Sequence, residues 1–337
     1  MSPKIALLGP IAWRTPPRAY GPWELVVGLL ADGLADRNVD VTLFATLDSV
    51  TRAKLDGVCP RPYEEDAELD GRVWEALHVA HALSRSAEFD LIHNHLDWLP
   101  LAFSGLSKAP MVTTIHGFSS SRIVPAYRGA KSAFVSISDS DRSPELDYVA
   151  TVHHGVDPTP LPFSERAGDG LVCFGRIHPD KGTHDAITIA REAGRPLALC
   201  GPVQDERYWR ERVEPHVDGQ AVRYLGSVEP GERAAVLGGA ACLLHPIAFE
   251  EPFGLSVVEA MICGTPVVAY PRGSMPEIVE EGVTGVLADG VPDAVEALEA
   301  AVRLDRSACR STALRRFGVQ RMIDSYLRVY EDVLRGH

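Results

Sequence analysis

No stretch of the sequence is apolar for long enough to read as a transmembrane helix. The first residues, MSPKIALLGPIAW, have neither the long apolar core nor the small-residue cleavage site of a secretory signal, which sets the expectation of a cytoplasmic protein. Cys59, Cys173, Cys200, Cys242, Cys263 and Cys309 form no C-x-x-C pair, and four of them lie in apolar runs. This speaks against a disulfide framework or a cysteine-based zinc site and for reduced core thiols. A basic surplus is missing too: a net charge of -13 and a pI near 5.4 argue against nucleic acid as a partner, while leaving room for a local cationic site for a diphosphate. Lysine is scarce beside arginine, which points to a GC-rich, bacterial source and says nothing of mechanism. The first loop lacks G-x-G-x-x-G, so a dehydrogenase is poorly supported.

What the 337 residues do contain is enough chain for two cores, with a hydrophobic fraction of 45% and a charged fraction of 23%. Strand-like runs alternate with helical periodicity throughout, an α/β pattern. Residues 4–8 read as the first strand, and Pro22 opens a helix over residues 24–35. Strands follow at 41–44, 90–93, 110–115 and 133–138, separated by an acidic stretch at 64–70 and a helix at 73–83. The run 158–170, rich in Pro and Gly, reads as a linker. Beyond it come strands at 171–174, 196–201, 222–225, 241–244 and 267–270, helices at 185–193, 255–262 and 292–302, and a terminal helix at 317–334.

The most informative stretch is residues 245–273, HPIAFEEPFGLSVVEAMICGTPVVAYPRG. It reads as a strand end, a loop, a helix closed by Gly264, and a strand. A helix N-terminus carries unpaired N–H groups and partial positive charge, so the turn from Phe253 through Gly254 and Leu255 to Ser256 is a seat for a phosphate. Glu251 precedes that helix start and Glu259 lies about one turn inside it, so both can face one crevice as acceptors for vicinal hydroxyls. Phosphate in the middle with a diol at each end describes a nucleoside diphosphate sugar. On the loop after the strand at 171–174, Arg176 offers a planar fork for phosphate oxygens and Lys181 a mobile point charge. His95, Asp97 and Trp98 lie at a strand's carboxyl end, where open α/β sheets bind ligands. Two metal readings are available, His93 with His95 and the triplet Asp139-Ser140-Asp141. The first lacks a nearby firm carboxylate, and the second reads more simply as capping before a short helix, so no metal site is expected.

The segment EPFGLSVVEAMICGTPVVA resembles the E-x7-E segment of the retaining GT-B glycosyltransferases of family 4. The run from Gly175 to Gly182 resembles their G-R-x-x-x-x-K-G motif, and His116-Gly117 resembles the histidine that lies over the donor sugar. The resemblance implies a GT-B fold with two Rossmann-like domains facing across a cleft. The first would cover residues 1–157 and be rejoined by the helix 317–337, and the second, residues 158–316, would bind the donor. It implies His116, Arg176, Lys181 and Glu251 as catalytic residues. Gly21, Gly175, Gly201, Val228, Phe253, Gly254, Leu255 and Glu259 would bind the donor, with Val228 in the base-binding turn. Gly21 is followed by Pro22 where the family usually has a second glycine. The acceptor side would comprise Tyr20, His95, Asp97 and Trp98, with specificity in residues 13–23. The implied reaction is a retaining, metal-independent and cofactor-free transfer of a hexose, with UDP-glucose the first choice of donor, to a hydroxyl of a small-molecule acceptor. GDP-mannose, UDP-N-acetylglucosamine and a non-catalytic sugar-nucleotide-binding module are the alternatives.

Overall fold

The computed structural model describes residues 3–18, 20–117 and 121–336. The chain divides into two compact units, Met1–Gly155 with Val319–His337, and Val156–Gly318.

The first unit is built on β1 (Lys4–Leu8), β2 (Asp40–Phe44), β3 (Lys54–Asp56), β4 (Leu91–Asn94), β5 (Met111–Ile115), β6 (Ala133–Ser136) and β7 (Tyr148–Thr151). They form one seven-stranded sheet in the order β3-β2-β1-β4-β5-β6-β7, every pair parallel. The near-continuous apolar strands follow from burial on both faces. Helices α1 (Pro22–Asp36), α2 (Gly71–Ser84) and α3 (Val124–Arg128) supply the crossovers. Asp70, from the acidic stretch, caps α2 by accepting from the amides of Arg72 and Val73. Ala6, Leu8, Phe44, Ile92, Met111 and Tyr127 belong to the core.

The second unit repeats the plan with β8 (Leu171–Phe174), β9 (Leu197–Cys200), β10 (Val222–Gly226), β11 (Cys242–His245), β12 (Val267–Ala269) and β13 (Gly285–Leu287). Their order is β10-β9-β8-β11-β12-β13, again parallel. Its helices are α4 (Thr183–Glu192), the single turn α5 (Glu206–Tyr208), α6 (Pro230–Gly239), α7 (Leu255–Ile262), α8 (Met275–Ile278), α9 (Val291–Ala301) and α10 (Arg306–Phe317). The last helix, α11 (Val319–Arg335), belongs to the first unit and packs on α1.

One element has no forerunner in the sequence reading, and one local expectation is corrected. The terminal helix read at 317–334 is α11, and a second helix with no counterpart in the sequence reading precedes it across Gly318. That helix, α10, buries Cys309, Thr312, Ala313 and Phe317, a stripe of helical spacing whose small and polar members do not read as apolar. Asp139-Ser140-Asp141 forms a turn with no helix after it, in which the Thr151 hydroxyl donates to Asp139. All six cysteines are buried and free.

Candidate functional site

In both sheets the strand order reverses beside the first strand of the unit, between β1 and β4 and between β8 and β11. The loops leaving the carboxyl ends of those strands diverge there and open a crevice. Most of the residues singled out above lie on these loops, while His116 follows β5, Gly201 follows β9, Val228 follows β10, and Leu255 and Glu259 lie on α7.

In the second unit the β8–α4 loop carries Arg176 and Lys181, and the β11–α7 loop carries Glu251. Gly182 has φ 64, and a Cβ there would stand 1.8 Å from the Pro246 carbonyl oxygen, so only glycine lets the loops close on one another. The Ala248 amide donates to the Asp180 carbonyl at 2.7 Å across the same seam. This closure puts Lys181 Nζ 2.5 Å from Glu251 Oε2 and 4.5 Å over the Phe249 ring. His245 Nε2 stands 3.5 Å from the same carboxylate. Burial alone pushes the Glu251 carboxyl up, but His245 and the Lys181 ammonium overcome it and hold the pKa down at about 2. The Arg176 guanidinium donates to Gln204 on the neighbouring loop.

Gly254 takes φ 87 to start α7, and no side chain caps that helix. One turn in, Glu259 is buried and accepts from Arg233 Nη1 at 2.9 Å, while the Arg233 guanidinium lies 5.4 Å over the Phe174 ring. Burial raises the Glu259 pKa against the pull of Arg233. Arg233 had no signal in the sequence beyond being a cation after the turn at Val228. Phe253 is buried, Leu255 and Val228 are partly exposed, and Gly175 leaves room for a Cβ. Backbone packing requires glycine at Gly201, since a Cβ there would stand 1.9 Å from the Gly175 carbonyl oxygen.

In the first unit His116 directly follows β5 and is buried, its ring stacked on Trp23 at 5.3 Å. Its Nε2 meets His95 Nδ1 at 2.9 Å and its Nδ1 meets His154 Nε2 at 3.4 Å. One acceptor-side expectation needs correction. His95 is completely buried behind His116, with both ring nitrogens engaged, because the strand end turns it inward. Asp97, at φ 47, accepts from the Tyr127 hydroxyl, a bond directed into the core. Tyr20 and Trp98 are the exposed ones, and Tyr20 packs edge-on against Trp13. Gly21 is buried at the start of α1. Among the described residues no group of three or more His, Cys, Asp or Glu side chains could hold a metal ion, and no helix is long and apolar enough to cross a membrane.

Glu24 lies in the first turn of α1, and an acidic residue there ordinarily reads only as complementing the helix dipole. Here it is buried and accepts the Trp13 amide at 3.1 Å. Burial pushes its carboxyl from 4.5 to about 7, against the two backbone hydrogen bonds it accepts. A raised carboxyl pKa contributes stability below pH 4.5 that is lost as pH rises through 7, about 3 kcal/mol in all. Glu24→Gln keeps the acceptor for Trp13, so its melting temperature at pH 8 is expected to exceed the wild type's by several degrees, with the gap closing towards pH 4.5. Thermal unfolding across that range checks it.

Residues 168–307 match the family model described as glycosyl transferases group 1, and residues 24–155 match that described as glycosyltransferase family 4. A glycogen synthase of Mycobacterium tuberculosis is 27% identical over 353 residues, covering 87% of this chain and 84% of that protein. Among solved structures, AviGT4, a glycosyltransferase involved in avilamycin A biosynthesis, superposes with a TM-score of 0.77 at 24% identity, covering 99% of each chain. Anabaena HepE, solved in complex with UDP and glucose, superposes at 0.74 with 19% identity, covering 98% of this chain and 100% of that one.

Proposed function

Because the chain belongs to the family 4, group 1 glycosyltransferases and has the GT-B fold, we propose that it transfers glucose from UDP-glucose to a hydroxyl of a small-molecule acceptor, retaining the anomeric configuration and needing no metal. The observation that carries this reading is the Lys181–Glu251 pair at 2.5 Å beside the uncapped start of α7. In the free protein each group neutralises the other, and a sugar diphosphate gives each a better partner. Lys181 and Arg176 turn to the diphosphate, whose charge grows as the glycosidic bond breaks, assisted by the N–H groups at Gly254 and Leu255. Glu251 accepts hydrogen bonds from the sugar hydroxyls and Glu259 from those of the ribose. Val228 lies where the base binds, and His116 orients the sugar. The acceptor hydroxyl attacks the face from which the diphosphate leaves, and the departing phosphate oxygen takes its proton, so no protein nucleophile is required. Glucose as the transferred sugar is supported by the glycogen synthase relative, and uridine as the base by HepE, solved with UDP and glucose. A cytoplasmic location fits a nucleotide-sugar donor. Nucleoside diphosphate release should be assayed from UDP-glucose, GDP-mannose and UDP-N-acetylglucosamine, with a panel of small acceptors and with chelator present. Turnover fastest with UDP-glucose supports the reading, and turnover with another donor or only with added metal contradicts it.

A further inference from the structure

Glu259 is the buried carboxylate to which the proposed function gives the ribose, and within the second unit one cation reaches it. Arg233 Nη1, from α6, donates to its Oε1 at 2.9 Å. Among the described residues no hydrogen bond is made to Oε2, and Arg233 Nε is buried without a partner. The contact therefore uses one prong of the guanidinium fork and one carboxylate oxygen, whereas a pair that serves only to tie two helices can close two parallel bonds. The guanidinium lies 5.4 Å over the Phe174 ring at the end of β8, which supports the face of the fork while Nη1 reaches Glu259.

The elements packed on α7 bring no second charge to this carboxylate. On α6, Glu232 is exposed. On α10, Arg306 donates to the carbonyls of Ser164, Gly238 and Ala240 and to Thr265, and Arg310 to those of Leu161 and Ile262. Burial pushes the Cys309 thiol of that helix up to about 12 and the Cys263 thiol, just past α7, up to about 11, so both are neutral at pH 7. His245 on β11 faces Glu251, and β12 is Val-Val-Ala.

Burial raises the Glu259 pKa against the pull of Arg233. A raised carboxyl pKa means stability that is present below pH 4.5 and lost as pH rises through the folded value. At pH 7 desolvation thus outweighs what one hydrogen bond returns, and the pair does not stabilise the fold. It instead leaves a carboxylate with one oxygen held and one without a donor, and 8% of the Glu259 side-chain surface stays accessible.

We infer that Arg233 is a positioning residue for nucleotide binding: it holds Glu259 by Oε1 and keeps the carboxylate charged, so that Oε2 accepts from a ribose hydroxyl. The ribose at Glu259 rests on the proposed function above, and Arg233 can fail as its support while that function stands.

The test is calorimetric titration of the full-length protein at pH 7 with UDP and with 2′,3′-dideoxyuridine 5′-diphosphate, which lacks only the hydroxyls that Glu259 would receive. The wild type should bind UDP about tenfold more tightly than the dideoxy nucleotide. Arg233→Met keeps most of the side chain's length and removes its charge and N–H groups. It should bind UDP about fivefold more weakly than the wild type, the difference between a charged and a neutral acceptor, and the dideoxy nucleotide within about twofold of it. Arg233→Lys keeps the cation and should recover most of the UDP affinity. Should Arg233→Met fail to fold, Arg233→Gln, which keeps a donor and drops the charge, replaces it with the same pattern expected. Unchanged UDP affinity in the folded variant, or an equal loss for both nucleotides as a purely structural tie would give, overturns the inference while UDP binding by the wild type upholds the function. A wild type that binds neither nucleotide overturns both.

Discussion

Lys181→Ala is expected to lower sugar transfer by about a hundredfold to a thousandfold, the range for deleting one preorganised charge-stabilising group. The expectation follows from where Lys181 is held. Its ammonium is largely buried, lies over Phe249 and is 2.5 Å from Glu251, so it acts on a departing diphosphate with little screening by water. Arg176 is more loosely tied, to Gln204 alone among its hydrogen bonds in the described residues, and does not replace it. The same substitution strands Glu251 without its cation, so its carboxyl pKa should rise as burial reasserts itself. Steady-state rates, with circular dichroism to confirm the fold, check this. A wild-type rate in Lys181→Ala would contradict it.

Glu251→Gln is the second large effect, because this carboxylate serves the fold as well as the chemistry. Its folded pKa of about 2 lies below the ordinary 4.5, so its contribution to stability is present above pH 4.5 and is lost as pH falls towards 2. That contribution is about 3 kcal/mol, and the amide also leaves the Lys181 ammonium without its partner in a buried position. The variant should melt several degrees below the wild type at pH 7, and the two should converge as pH is lowered from 4.5 towards 2. Turnover should fall by about a hundredfold at pH 7, since a neutral amide both weakens the hold on the sugar hydroxyls and leaves Lys181 misplaced. Parallel melting curves at every pH would show that Glu251 is not the carboxylate held at low pKa.

The long-range plan was legible in the sequence because it rests on patterns that local chemistry enforces. Buried parallel strands read as apolar runs, Gly264 closes α7 at φ 90, and the two glycine-bounded loops carry the charges of the second unit. What was not legible is the partner each charge meets. Arg233 reaches Glu259 from a different helix across 26 residues, and nothing in the sequence around either forecasts it. His95 reads as a ligand-facing residue at a strand end, yet the strand's last turn directs it into the core, where His93 and His116 bracket it. Tyr326 and Tyr330 read as packing residues of an amphipathic helix, and their hydroxyls acquire meaning only beside Thr114 and His93. The helix α10 escaped notice because its buried stripe is made of Cys309, Thr312 and Ala313 rather than large apolar residues.

The central claim is that the reversal point of the second sheet binds a nucleoside diphosphate, cations on one loop and Glu259 behind the start of α7. Calorimetric titration of UDP into the wild type, Lys181→Ala and Glu259→Ala, with chelator present, tests it most directly. Saturable binding at one site by the wild type, weakened about tenfold or more in each variant, is the predicted result, the loss of one charge-assisted contact apiece. No binding by the wild type, binding only after a divalent cation is added, or equal affinity in all three proteins would contradict it.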